Sequence, residues 1–106
     1  MLGAIIGDIV GSRFEWNNHR SKDFEFLTYR CKVTDDSIMT LGIAKAILDC
    51  GGVYNNLGKY AVQNMQEIGR LYPNSGYGGN FAQWLYSEHP KPYNSYGNGA
   101  AMRVSA

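Results

Sequence analysis

Between Asp35 and Cys50 the chain carries Ile38, Met39, Leu41, Ile43, Ala44, Ala46, Ile47 and Leu48, with Lys45 and Asp49 as the charges inside the run. Apolar residues fall nearly all round a helix built on this stretch, and a helix without a polar face must be central rather than peripheral. Gly51-Gly52 closes it, as glycine does past a helix C-terminus. Val33-Thr34-Asp35-Asp36-Ser37-Ile38-Met39 opens it, with a hydroxyl, two adjacent carboxylates and a second hydroxyl. Such residues satisfy free N–H groups at a helix start and suit its dipole. One cap needs only one of them. The cluster is also a dense patch of hard oxygen donors of the kind Mg²⁺ or Ca²⁺ takes. A plain cap and a metal site both remain open on these residues alone, and either would be held on a rigid, buried rod.

The flanking segments read as further helices. Leu2, Ile5, Ile6, Ile9, Val10 and Phe14 recur at helical spacing and predict a first helix over 2–16. Gly3, Gly7 and Gly11 fall every fourth residue along it and predict close approach of another backbone. Asp8, Ser12 and Glu15 share one polar stripe, which reads as a solvated face or as part of a site. Residues 17–23 form a polar loop with His19 as a bystander. The shorter alternation of Leu27, Tyr29, Cys31 and Val33 predicts a short strand or an extended segment over 24–33. A third helix is predicted over 55–72, stopped by Pro73-Asn74, and a fourth from Phe81 to about Glu88. Ser75-Gly76-Tyr77-Gly78-Gly79-Asn80 leads into that fourth helix. Ser95-Tyr96-Gly97-Asn98-Gly99 opens a last one. Neither glycine turn has the Lys-Ser/Thr of a P-loop or the spacing of a dinucleotide fingerprint, so as bare patterns both are weak phosphate signals. The fold class predicted is all-α.

Composition bounds what such a chain does. With 106 residues it is one domain at most, and a net charge of +1 without a basic cluster argues against nucleic acid or an anionic membrane as partner. Cys31 and Cys50 are isolated, which suggests a reducing, cytoplasmic setting. The apolar stretch from Met1 to Val10 is too short to span a bilayer, contains Asp8, and lacks the basic leader and cleavage site of a signal peptide.

Three segments together resemble the ADP-ribosylglycohydrolase family, which includes the dinitrogenase reductase-activating glycohydrolase. Gly3-Ala4-Ile5-Ile6-Gly7-Asp8-Ile9-Val10-Gly11-Ser12-Arg13-Phe14-Glu15 is similar to its opening helix, and Thr34-Asp35-Asp36-Ser37 to its Thr-Asp-Asp-Thr metal motif. Gly97-Asn98-Gly99-Ala100-Ala101-Met102-Arg103 is similar to its Gly-Asn-Gly-Ala-Ala-Met-Arg segment, with Gly76-Tyr77-Gly78 matching an element between. The motifs occur in the family's order and cover almost the whole chain.

The resemblance implies an all-α orthogonal bundle around a binuclear Mg²⁺ site (Mn²⁺ as an alternative) that cleaves the glycosidic bond of ADP-ribosyl conjugates, whether a modified protein or a small conjugate. Carried over, Thr34, Asp35 and Asp36 are metal ligands and Glu15 is the catalytic acid residue that positions or activates water. Gly76, Tyr77, Gly78 and Gly79, with Ser95, Gly97, Asn98 and Gly99, contact diphosphate and ribose. Asp8 is assigned to structure. Backbone N–H groups are expected to hold the diphosphate because no basic patch offers to. Ser37 stands where the family more often has threonine. The family's second Asp-x-Asp cluster has no counterpart after Asp36, where Asp49, Glu67 and Glu88 are isolated. The chain therefore reads as an N-terminal fragment (1–106) of one such domain, inactive by itself and prone to self-association through uncovered apolar surface. The alternatives are a non-catalytic ADP-ribose-binding relic and a small helical interaction protein.

Overall fold

A computed structural model describes residues 1–106. Four α-helices and three short 3₁₀ segments make up its regular structure, without a strand: α1 (Leu2–Gly11), a 3₁₀ turn (Ser12–Phe14), α2 (Asp35–Asp49), a 3₁₀ turn (Tyr54–Asn56), α3 (Leu57–Leu71), α4 (Gly79–Leu85) and a final 3₁₀ turn (Ala101–Ser105). The fold is all-α, and no helix is long and apolar enough to cross a membrane.

α2 is the axis, as its composition predicts. It packs most extensively on α3 and also meets α1 and the final 3₁₀ turn. Ile38 and Met39 of α2 and Met65 of α3 form the core, and Ile43, Ala61, Ile68, Tyr77, Phe81, Trp84 and Met102 pack around them. The α2–α3 contact is close because Gly42 carries no side chain: a Cβ there would lie 3.4 Å from the Met65 backbone. α2 ends at Gly51 and Gly52 with φ of 55° and 86°, a turn that residues with a Cβ avoid. Buried Asn64 of α3 ties down this end by donating to the Asp49 carboxylate at 2.9 Å. α3 also closes the C-terminus of α4. Gln66 donates to the carbonyls of Trp84 and Ser87, and Arg70 Nε to that of Leu85 at 2.6 Å, satisfying oxygens the helix end leaves free.

Several local expectations are corrected. α1 stops at Gly11 and tightens into a 3₁₀ turn, so Glu15 follows that turn rather than an α-helical stripe. Gly3, Gly7 and Gly11 meet no other backbone; nothing lies within 4 Å of where their Cβ atoms would sit. The residues at 24–30 form mostly turns and bends, and no strand occurs anywhere in 24–33. A strand needs a partner for its N–H groups, and this segment is held instead by side chains. Arg13 donates to Thr28 Oγ1 at 2.9 Å and to the Glu25 carbonyl, while Ser12 Oγ accepts the Lys32 N–H at 3.0 Å. Its alternating apolar side chains bury no common face, Tyr29 being 90% exposed. α4 begins two residues before Phe81 and ends at Leu85, and the last element is a 3₁₀ turn rather than an α-helix.

Glycine is required at position 69, in α3, where a Cβ would lie 2.6 and 2.9 Å from the two methyls of Leu85. Leu85 is 1% exposed and has nowhere to move. Gly69→Ala is expected to cost about 1–3 kcal/mol through overpacking, despite alanine's better helix propensity. Gly3→Ala, in open space, is expected to be neutral or to add up to about 1 kcal/mol. Urea denaturation of the two variants checks both signs.

Candidate active site

The start of α2 is built around the Asp8 carboxylate. Projecting from α1, it accepts hydrogen bonds from Thr34 N at 3.0 Å and Thr34 Oγ1 at 2.5 Å. It also accepts from Ser37 N at 3.3 Å and Ser37 Oγ at 2.6 Å. Thr34, the N-cap, accepts the Asp36 N–H at 3.3 Å. Capping is thus done by Thr34 and by a carboxylate from a neighbouring helix. The structural role given to Asp8 is of this kind, and the Asp8–Ser12 part of the polar stripe is half-buried and lines the cleft that opens beside it rather than forming an outer solvated face. Ser37 retains the hydroxyl that this arrangement uses.

Asp35 and Asp36 are released from capping. Neither side chain forms a salt bridge, since the one ion pair in the chain is Lys45–Asp49, far along α2. Burial, followed by the charges of Asp36, Glu15 and Asp8, pushes the Asp35 carboxyl up from 3.8 to about 6. Burial and then the charges of Asp8 and Glu15 also raise Asp36, with Arg103 opposing them. Glu15 is therefore electrostatically within reach of both, although its own side chain is exposed.

A cleft of about 1170 Å³ opens over this patch. Glu15, Thr34, Asp35 and Asp36 line it together with Gly76, Gly78 and Gly79 and with Ser95, Gly97, Asn98 and Gly99. Two anchors bring these distant segments together. The Asp35 N–H donates to the Ser75 carbonyl at 2.7 Å, docking the first glycine loop on the start of α2. Gly76 (φ 96°) follows, where a Cβ would lie 3.6 Å from Asp35 Oδ1. The buried Thr40 hydroxyl lies 2.7 Å from the Asp36 carbonyl and 3.2 Å from that of Met102, docking the segment after the second loop. Tyr77 does not line the cleft. Its ring packs into the core beside Phe81, at a centroid distance of 5.7 Å.

His19 lies apart, stacked on Phe14 at 5.2 Å. The sequence reading missed Lys91 and Arg103, which line the cleft and give it positive charge that the scatter of basic residues concealed. Arg103 lies within a motif already singled out, so a signal for it was available.

A family model described as ADP-ribosylglycohydrolase matches residues 1–106, the whole chain. The chain belongs to the ADP-ribosylglycohydrolase family. No curated protein and no solved structure matches it.

The glycohydrolase family implies divalent cations, and the donor set fits them in kind. Thr34, Asp35, Asp36 and Glu15 offer only hard oxygens, and the two aspartates form no ion pair within the chain. It falls short in number, because no three acidic, histidine or cysteine side chains converge on one point. Thr34 Oγ1 is moreover already engaged with Asp8.

Two predictions follow from the patch. Asp8→Ala strands two N–H groups and two hydroxyls and removes negative charge at a helix N-terminus. It is expected to cost about 2–4 kcal/mol in urea unfolding, with Asp8→Asn costing less. Asp35 has a folded-state pKa above its unfolded one, so its contribution to stability is full below pH 3.8 and is lost as pH rises through about 6. At pH 7 in a chelator, Asp35→Asn is expected to be the more stable form by on the order of 1 kcal/mol, after discounting for solvent screening of a half-exposed group. Thermal melts should show that gain vanishing near pH 4.

Proposed function

We propose that this chain carries the acidic half of an active site that hydrolyses the glycosidic bond of ADP-ribosyl conjugates, as the N-terminal part of a larger glycohydrolase domain. The observation that supports this most directly is the convergence of Glu15, Asp35 and Asp36 with both glycine turns on one cleft. A cleft of about 1170 Å³ accommodates a ligand of nucleotide size. In this reading Asp35 and Asp36 would hold Mg²⁺ or Mn²⁺, with Thr34 offering only the lone pair that its bonds to Asp8 and Asp36 leave, and the remaining ligands would come from water and from groups outside this chain. When bound, the cation would orient ribose hydroxyls and lower the pKa of water.

Glu15 is the base. Its carboxylate is exposed at the cleft, where a water can reach it, and lies near the acidic pair. It takes a proton from the water as the oxygen bonds to the anomeric carbon; the glycosidic bond breaks, and the leaving group takes a proton from solvent water, to which Glu15 returns its own. Gly78 and Gly79 stand open, with nothing within 4 Å of their Cβ positions, so a ligand can approach the backbone there. The Gly97 N–H is already committed to Ser95 Oγ at 3.1 Å, which shapes the second turn rather than leaving that donor for substrate.

The shortage of converging ligands favours a second reading, a chain that binds ADP-ribose without turnover. The two are separated by measuring ADP-ribose release from a modified protein and a small conjugate, using the intact protein that carries this sequence. Release is expected to require Mg²⁺ or Mn²⁺ and to fall by about 100-fold or more in the Asp35→Ala/Asp36→Ala variant. Binding without release would establish the second reading. Release that persists in both chelator and the double variant would overturn the role given to the acidic pair.

A further inference from the structure

The chain exposes 7738 Å² of surface, whereas a folded monomer of its 11.8 kDa exposes about 5900 Å². Its radius of gyration is 14.9 Å, against about 13 Å for a closed domain of this length. The surplus of about 1800 Å² is more than the roughly 800 Å² that each partner gives to a standard protein interface. On the outer face of α1 that surface is apolar without interruption. Leu2 is 72% exposed and Ile6 41%, and Gly3, Ala4 and Gly7 lie open beside them. No side chain from Met1 to Gly7 is charged, and Asp8, the one acid of α1, is turned onto Thr34 and Ser37. Exposed leucines on the other helices have charged neighbours: Leu41 and Leu48 of α2 share turns with Lys45 and Asp49, and Leu71 of α3 follows Arg70.

An apolar face of this kind marks an interaction surface, and its relief says what fits. Leu2 and Ile6, at i and i+4, form one ridge along the helix, and Gly3 and Gly7 form a trough beside it. Nothing lies within 4 Å of the Cβ positions of those glycines, so the trough is free to receive side chains. A two-fold axis perpendicular to the helix lays the ridge of one α1 in the trough of another and returns the same contact, as an isologous interface requires. The two helices then run antiparallel. Their dipoles attract, and the Met1 ammonium of each lies toward the C-terminal half of the other. The face has no charged side chain to repel its copy. Residues 16–33, the other exposed apolar segment, carry a net charge of +2 (Arg20, Lys22, Arg30 and Lys32 against Asp23 and Glu25) and would repel theirs.

We propose that two copies of this chain pair through α1, with Leu2 and Ile6 of each seated over Gly3 and Gly7 of the other. The pairing does not depend on the reading under Proposed function.

Sedimentation of the 106-residue chain over about 1–100 μM tests this. A reversible monomer–dimer equilibrium that stops at twice 11.8 kDa is expected. Ile6→Lys is expected to weaken the dimer about 10-fold or more, because each dimer loses two buried apolar side chains. Leu2→Lys is expected to do the same, and it carries the test if far-UV circular dichroism shows that the first variant does not fold. Leu48→Lys, on exposed α2 surface, is expected to change nothing. A chain that stays monomeric throughout overturns the proposal. So does association that climbs past the dimer, or that Leu48→Lys weakens as much as Ile6→Lys, since either marks unspecific apolar adhesion. The other occupant is a helix from elsewhere in a longer polypeptide. A longer protein carrying this sequence that is monomeric, and that Ile6→Lys destabilises against urea, overturns the assignment to a second copy.

Discussion

Everything at the cleft depends on the Asp8 carboxylate. By accepting from the backbone and hydroxyl groups of Thr34 and Ser37, it fixes α1 against the start of α2 and meets the helix's demand for an N-terminal acceptor from outside. A helix that begins Thr-Asp-Asp-Ser would ordinarily spend those side chains on itself. Here Thr34 and Asp8 do the capping, and the two aspartates keep their carboxylates free. That leaves the two aspartate side chains available for the ligand role proposed above.

Freedom has an electrostatic consequence. The charges of Asp36, Glu15 and Asp8 act on Asp35 without converging on one point, and their repulsion adds to burial in raising it. The helix dipole offsets part of this. Arg103 offsets a further part for Asp36, yet stays out of ion-pair contact. The chain holds opposite charges apart across a cleft instead of letting them neutralise each other. A salt bridge would relieve both sides, but it would also occupy the groups a ligand needs.

How much of this was legible in the sequence varies with the kind of signal. The central role of α2 was, because apolar residues on every side leave a helix no alternative to burial. The gathering of Glu15, the acidic pair and both glycine turns came from family resemblance, since periodicity cannot show that residue 75 will dock on residue 35. Two local readings failed for one reason, that they treated spacing as contact, and a third was carried over from the resemblance. The glycine ridge of α1 faces open space, whereas the packed glycines, Gly42 and Gly69, belong to no spaced series that would announce them. The alternation at 24–33 found no strand partner. Tyr77, placed with the ligand contacts between two glycines that do line the cleft, turns into the core beside Phe81.

Arg103 is instructive because counting charges hides it. Ten basic residues scattered along 106 positions look like solvation, and a net charge of +1 suggests no basic wall to the cleft. What matters is where the fold withdraws water. Most of the other lysines and arginines lie exposed, where a positive charge is cheap and weakly directed. Arg103 is carried inward by the turn that Thr40 fastens to α2, and is laid on Phe81. Thr40 also reaches the Asp36 carbonyl, so one buried hydroxyl links the backbone of the acidic wall to that of the basic one. Its single hydrogen is shared unequally, favouring the nearer Asp36 carbonyl, so the side chain helps to hold the two walls in place from outside the ligand space, near each other without ion-pair contact.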